Sequence, residues 1–310
     1  MTAAADRSAA AVIYVVERLS HHLLPRTFAD GMVARHVLAI LLWLVLSRTA
    51  LSRAEGGAAG ERVAARRRVD GFTAAAIAIS LAGWAISLLE PVAPGVAYAL
   101  LRFYWFRLAD GLVPLALAVA AAAVLCGDGV RAGPLPWRAG LVRAIVVAVL
   151  CGDLVNESRH WPLPWRTDLA ARSDAKMLAG PWRDICDWVR DNAPADACFL
   201  TPRGAVNFTW RTGRREAVSW KNMPQDPRSL VEWRARIVDC FSRNGSLTAL
   251  EATTAALGPE RMRLAAARCG ADHAIVPLDA PGVADLPWPR LHANDGYAVL
   301  RLTADPVETR

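Results

Sequence analysis

Three groups of residues have types and spacings suited to holding an anion. The first is Arg18-Leu-Ser-His21-His22-Leu-Leu-Pro25. Histidine changes charge near neutral pH, so either ring could meet a phosphate or carry a proton. Neighbouring positions on a helix point in different directions, so a two-histidine metal clip is not expected there. An amphipathic helix lying in the headgroup region is the structural alternative. The second is Arg102-Phe-Tyr104-Trp105-Phe-Arg107-Leu-Ala-Asp110. Arginine offers a planar fork that matches a phosphate, and arginines framed by aromatics suit a lipid phosphate or diphosphate at a bilayer surface. On a continuous helix Arg107 and Asp110 would be neighbours, and Arg102 would lie one turn before Phe106. The structural alternative is an aromatic belt with an ion pair. The third runs through Thr201-Pro-Arg203, Trp210, Arg214, Trp220-Lys221, Gln225, Glu232 and Arg236. Here Arg203, Arg214 and Lys221 could meet a sugar phosphate at the strand ends of an α/β domain. A salt-bridged network that fixes the domain is the alternative, with Glu232 spaced for a helix pair with Arg228 or Arg236.

Other chemistry is not signalled. The chain has no glycine-rich phosphate loop, no GxSxG elbow and no HExxH, and these are the local patterns that would carry those reactions. No cofactor is expected, and no metal site, because no CxxC pair is present and zinc sites use closely spaced ligands. Four of the six cysteines, Cys186, Cys198, Cys240 and Cys269, fall in the C-terminal half. Four cysteines allow three pairings, and the spacing does not choose between bridges and buried thiols.

The surroundings of these groups are set by hydropathy. The chain has 310 residues, of which 54% are hydrophobic and 21% charged, too little charge for an ordinary soluble surface of this size. Four stretches approach the length of about 20 residues that a helix needs to cross the hydrocarbon. They are 32–51, flanked by Arg35 and Arg48; 71–89, free of charge; 112–126, extended backwards by the run before it; and 141–155, with Arg143 in its first turn. The expected division is a membrane region over 1–155 and a second domain over 156–310. The stretch Ala9–Val16 is too short to cross, and no small-residue cleavage site follows it, so an interfacial helix is expected there rather than a signal peptide.

Charge gives the sidedness. Formal net charge is +7, but residues 1–155 carry 15 basic and 10 acidic residues while residues 156–310 carry 21 and 19. The excess therefore lies in the apolar half, which argues against nucleic acid as a partner. Arg48, Arg53, Arg62, Arg66, Arg67 and Arg68 crowd the segment between the first two spans, a mark of the cytoplasmic side. With four spans, alternation puts residues 1–31, 90–110 and everything beyond 156 outside, so all three groups share the outer compartment.

The C-terminal half alternates helix and strand signals. Pro181 opens a helix whose Trp182, Ile185, Cys186 and Val189 share one face. Strands are expected at 197–200, 205–211, 216–221, 274–277 and 297–302. Further helices are expected from Asp226-Pro227 to Phe241, after a Thr248/Glu251 capping box, and over 259–268. The fold class is thus an α-helical membrane bundle of about four spans followed by a small extracytoplasmic α/β domain.

The segments RLSHHLLP, RFYWFRLADGLVPL, PWRDICDWVRDNAPADACFLTPRG, FTWRTGRREAVSWKNMPQD and VEWRAR resemble a functionally uncharacterised family of bacterial polytopic membrane proteins with a domain of unknown function. That family is in turn distantly similar to the GT-C type of membrane glycosyltransferases. The resemblance implies a multi-pass protein of the bacterial inner membrane, with membrane lipids and a lipid-linked sugar as partners. GT-C enzymes carry catalytic acids in a first outer loop after an initial span. Here only Asp6, Glu17 and Asp30 lie near His21. Two expectations follow: the C-terminal part of a longer lipid-linked-sugar transferase, or a non-catalytic membrane protein whose outer domain binds a protein partner or an envelope polymer.

Overall fold

The computed structural model describes residues 3–51, 58–126 and 177–302, together with isolated positions between 140 and 158. The chain divides into two compact units, residues 14–167 and residues 1–13 with 168–310.

The first unit is helical. Helices α3 (Asp30–Leu51), α4 (Ala58–Ser87) and α6 (Arg107–Cys126) are each long and apolar enough to cross a membrane. They pack as a bundle in which α6 touches both others. The contact is made largely by alanines: Ala116, Ala120, Ala121 and Val124 of α6 meet Trp43 and Leu46 of α3, and Ala109 and Val113 meet Ala76 of α4. Small residues let helix axes approach closely where apolar burial alone gives little drive, as in lipid. The opposite faces expose Leu38, Leu41, Val45, Phe72, Leu81 and Leu115, so these helices are apolar all round, as spans are. The short helices α2 (Ser20–Leu23) and α5 (Pro94–Leu101) decorate one end.

One expectation changes here. Arg62, Arg66, Arg67 and Arg68 do not lie in a loop; they form early turns of α4, which begins at Ala58. The segment GERVAARRR is rich in good helix formers, so the helix extends several turns ahead of the uncharged stretch. Most of the fourth expected span, 141–155, lies outside the described residues.

The second unit is a small mixed-sheet domain with helix α1 (Ala3–Val12) packed along α9 (Pro227–Phe241). Its five strands are β1 (Cys198–Leu200), β2 (Arg215–Glu216), β3 (His273–Pro277), β4 (Arg290–Ala293) and β5 (Tyr297–Arg301), in the order β2-β1-β3-β5-β4. The β2-β1-β3 part is parallel, and β5 and β4 add antiparallel. Helix α7 (Ala179–Asn192) buries Trp182, Ile185, Cys186 and Val189 against Phe199, Phe208, Ile275, Tyr297 and Val299, the face its spacing predicts. Asp226 caps α9, its Oδ1 accepting from the Ser229 amide at 2.9 Å. Helix α10 (Pro259–Cys269) ends at Gly270, whose φ of +65° is the left-handed stop glycine favours.

Three local expectations are overturned. Residues 205–211 are not a strand: Phe208–Thr212 form a short helix α8. Phe208 and Thr212, four apart, turn inward together, and Trp182 Nε1 donates to Asn207 Oδ1 at 3.0 Å just ahead of it. The strand expected over 216–221 is confined to Arg215–Glu216. No α-helix starts at Thr248 either; a short 3-10 helix forms only at Thr254–Leu257, capped by Thr253. Glu251 is taken by Arg243 at 2.5 Å and the Thr248 hydroxyl by Ser246 at 2.8 Å, while Ser242 bridges to Leu250. A capping box needs both side chains for the backbone, and here both are committed elsewhere. Strand β4 was not expected; its LHA core carries little β signal and is mostly exposed.

Candidate functional site

The N-terminus of α3, the C-terminus of α4 and the N-terminus of α6 lie at one end of the bundle, because consecutive spans alternate in direction. The first two residue groups meet there. After α1 the chain passes through a π-helical stretch, Ile13–Arg18, and α2. Tyr14 Oη donates to Tyr104 Oη at 3.3 Å, their rings set edge to face at 6.2 Å. Phe28 and Phe106 make a second edge-to-face pair at 5.0 Å. The Arg18 guanidinium is half-buried beside Tyr104, and burial lowers its proton affinity.

The expected continuous helix across 102–110 is broken. Arg102 is the cap of α5, Tyr104 has φ +56°, and α6 starts afresh at Arg107. A left-handed φ is costly for a residue with a side chain and persists only where the surroundings hold it. They do so through Trp105: its Nε1 donates to the Leu100 carbonyl at 2.7 Å, and its own carbonyl accepts from Ser80 Oγ at 3.3 Å. The break separates Arg102 from Phe106 and leaves Arg102 partly exposed and Arg107 exposed. Among the described residues neither Arg102 nor Arg107 has a carboxylate partner, Asp110 included. Arg26, by contrast, grips Glu90 with Nε at 3.1 Å and Nη2 at 2.7 Å, and Tyr98 Oη donates to Glu90 at 2.9 Å. That network holds the Glu90 carboxyl below its usual range, mainly through Arg26, so Glu90 is a brace rather than a proton acceptor.

His21 and His22, expected to diverge, lie with ring centroids 4.1 Å apart and their planes tilted by 44°. Helix α2 is a single turn that buries Leu23 and leaves both histidines exposed. His21 is held below its normal range by burial, then by His22 and Arg18, which keeps it neutral at neutral pH.

The third group is in the α/β unit, and its arginines face inward. Arg214 donates from Nε, Nη1 and Nη2 to the carbonyls of Ala193, Thr212 and Arg190 at 2.8–3.2 Å. Arg203 donates to the carbonyls of Glu251 and Leu250 and lies 5.8 Å over Trp220, whose ring stacks on Trp233 at 5.7 Å. Arg236 joins Glu232 at 2.5 Å and the Ala217 carbonyl at 3.4 Å. These guanidinium groups close helix ends and loops, work that arginine's five donors suit. Lys221, Gln225 and Trp210 remain on the surface, Trp210 82% exposed.

One residue in this region escaped sequence reasoning. Glu216 ends β2 at the carboxyl edge of the parallel strands, where it accepts from Thr201 Oγ1 at 2.6 Å and from the Ser219 hydroxyl. Burial pushes its carboxyl up to about 7. An acid at the end of a parallel strand is the signal that could have marked it.

A family model described as a domain of unknown function, DUF6798, matches residues 180–240. The match begins in α7, takes in β1, α8 and β2, and stops in the last turn of α9. It thus covers Arg203, Trp210, Arg214, Glu216, Trp220 and Arg236, and no residue of the bundle. No curated protein and no solved structure matches the chain. Among the described residues no cluster of three or more His, Cys, Asp or Glu is placed to hold a metal ion.

Proposed function

We propose that this chain is a multi-pass protein of a bacterial inner membrane whose outer bundle end binds the phosphate of a membrane lipid, in the manner of a protein handling a lipid-linked sugar. The observation that carries this reading is the meeting of Tyr14 and Arg18 with Tyr104, beside the partly exposed Arg102 and the exposed Arg107. A phosphate needs forked donors at its oxygens, and aromatic rings to seat them at headgroup depth. Sidedness rests on the arginines in the first turns of α4, at the opposite end from this cluster. They favour the cytoplasm for that end. A fourth span over 141–155 then carries the α/β domain outward. The GT-C likeness supports a lipid-linked substrate and names no catalytic residue here.

The test is binding of the full-length protein, in nanodiscs of phosphatidylcholine, to a polyprenyl phosphate, compared with the same polyprenyl alcohol. Phosphate-dependent binding is expected to fall tenfold or more in Arg102→Ala/Arg107→Ala, since each charged hydrogen bond contributes about 1.5–3 kcal/mol. Equal affinity for phosphate and alcohol, or no change in the double variant, would remove the reading. A reporter fused at Arg310 tests the sidedness separately.

A second reading, a non-catalytic protein whose outer domain docks a protein partner or an envelope polymer, draws on Trp210. This large ring is almost fully exposed on α8, with Arg211 5.8 Å over its face. Aromatic and arginine side chains together are the usual anchors of such surfaces.

A further inference from the structure

We propose that residues 88–103, with α5 at their centre, are sunk into one leaflet at this end of the bundle, their outer face a contact surface for lipid acyl chains. This rests on the reading of the bundle as membrane-spanning and deepens it, because it sets the depth at which Arg102 and Arg107 meet the headgroups. The surface itself is the first observation. The large exposed residues of this connection are Leu88, Leu89, Val92, Val96, Leu100 and Phe103, with Val92 80% and Leu88 72% exposed. The remaining exposed positions are prolines, Gly95 and Ala99, so no exposed residue from 88 to 103 is polar or charged. A connection that runs through water shows the opposite pattern. The stretch is nonetheless well anchored: α5 packs on α4, and Ala97 and Leu101 on its inner side are fully buried.

The polar groups are the second observation, because they are closed on one another. The amides of Leu88, Leu89, Glu90, Val92 and Ala93 turn back onto the carbonyls of Ala85, Ile86, Ser87 and Leu89 at 2.7–3.2 Å. Pro91 and Pro94 have no amide to leave unpaired. At the far end of α5 the Leu100 carbonyl accepts from the Phe103 amide at 3.3 Å and from Trp105 Nε1 at 2.7 Å. Glu90, the one acid in the stretch, is turned in to Arg26 and Tyr98. Hydrocarbon demands such closure and water does not. The occupant is lipid because the face continues the side of a span. From Gly71 through α4 to Phe103 every exposed residue is apolar. Helix α5 has eight residues, about 12 Å at about 1.5 Å each, and cannot cross a hydrocarbon core of about 30 Å. It therefore lies in the leaflet rather than through it, and Arg102, Tyr104, Trp105 and Arg107 follow at once as headgroup-level residues.

The experiment places the wild-type, full-length protein in phosphatidylcholine nanodiscs that include a phosphatidylcholine with a diazirine in its acyl chain. Light expels dinitrogen, the resulting carbene inserts into the nearest bond, and mass spectrometry maps the adducts. Adducts are expected on 88–103 as well as on 71–87 and 107–124. Adducts on the two spans with none on 88–103 would overturn the proposal and leave the spanning reading standing. No adducts on either span would remove both. A second measurement puts a fluorescent amino acid at Val96. Quenching by a nitroxide on the lipid acyl chain is expected, with iodide quenching roughly fivefold or more below that of the free amino acid, as at an interfacial apolar face. Iodide quenching equal to the free amino acid would mean that the face is in water. Protection from both quenchers would mean that protein, a second copy included, covers it. Either result also overturns the proposal, and the wild-type adduct map decides even if the labelled variant does not fold.

Discussion

Trp43 and Asp70, 27 residues apart on two membrane-capable helices, are joined by a hydrogen bond of 2.8 Å from the indole Nε1 to the carboxylate Oδ1. Ser47 Oγ donates to the same oxygen at 3.1 Å, and Arg66 approaches the other at 3.8 Å while donating to the Leu46 carbonyl. A part-buried carboxylate and a buried guanidinium thus register α3 against α4, where apolar contact with lipid-like surroundings would leave sliding cheap. Asp70→Ala strands the Arg66 charge and is expected to cost about 3 kcal/mol. Trp43→Phe removes one charged hydrogen bond and should cost about 1.5 kcal/mol. Replacing both charges, Arg66→Met with Asp70→Leu, should recover most of the loss. Thermal unfolding of the three variants in detergent ranks them; an Asp70→Ala protein as stable as wild type would mean that the pair is solvated.

Gly83 of α4 is where the Trp105 turn touches the bundle. A methyl group there would lie 2.5 Å from Trp105 Cβ and 3.1 Å from the Phe106 ring. Both contacts are with atoms close to the backbone or in a packed ring, so the turn must move. Gly83→Ala is expected to destabilise by about 1–3 kcal/mol and to open Arg102 and Arg107 to trypsin. Limited proteolysis reads this directly; an unchanged digestion pattern would contradict the packing.

Arg214 should behave as a structural clamp. Its fork closes carbonyls at the end of α7 and in the Thr212 turn. Arg214→Ala is expected to cost about 2 kcal/mol, the worth of two net hydrogen bonds. Arg214→Lys should recover little, because one ammonium cannot span three carbonyls. Chemical denaturation measures both. Full stability in Arg214→Ala would free this residue for ligand binding.

Glu216 predicts an inverse pH dependence for the α/β unit. Its folded carboxyl titrates at about 7 against an ordinary 4.5. The folded state therefore holds the proton more tightly than the unfolded chain. Its contribution is fully present below pH 4.5, declines as pH rises, and is lost above about 7. Glu216→Gln removes the titration, so the variant should gain relative to wild type across that window, reaching roughly 2–3 kcal/mol at pH 8. Unfolding free energies at pH 4.5, 6 and 8 test it; parallel curves for the two proteins would sink it.

Trp182, Ile185, Cys186 and Val189, and the Asp226-Pro227 start of α9, could be read from the chain because helical period and capping are local properties. The apolar run of 71–89 was legible for the same reason. What local pattern could not supply was partner choice. Ala205–Arg211 carries strand-like residues, yet Asn207 is taken by Trp182 and Phe208 by the α7 core, so the segment coils. Thr248 and Glu251 match a cap in sequence, but Ser246 and Arg243 claim them first.

The membrane-capable helices and the mixed α/β character of the second unit followed from hydropathy and periodicity, which are properties of residues one turn or one pleat apart; the arginine-rich segment ahead of 71–89 was expected as a loop and is helical. Only the tertiary structure decided what each charged group does. It spends Arg203, Arg214 and Arg236 on backbone carbonyls and gives Arg26 to Glu90. It breaks the helix between Arg102 and Arg107 at the left-handed Tyr104, and it desolvates Glu216 at a strand end. A guanidinium or carboxyl has the same formula in every setting; its role depends on which donors, acceptors and solvent the rest of the chain brings within about 3 Å, and sequence spacing does not encode that distance.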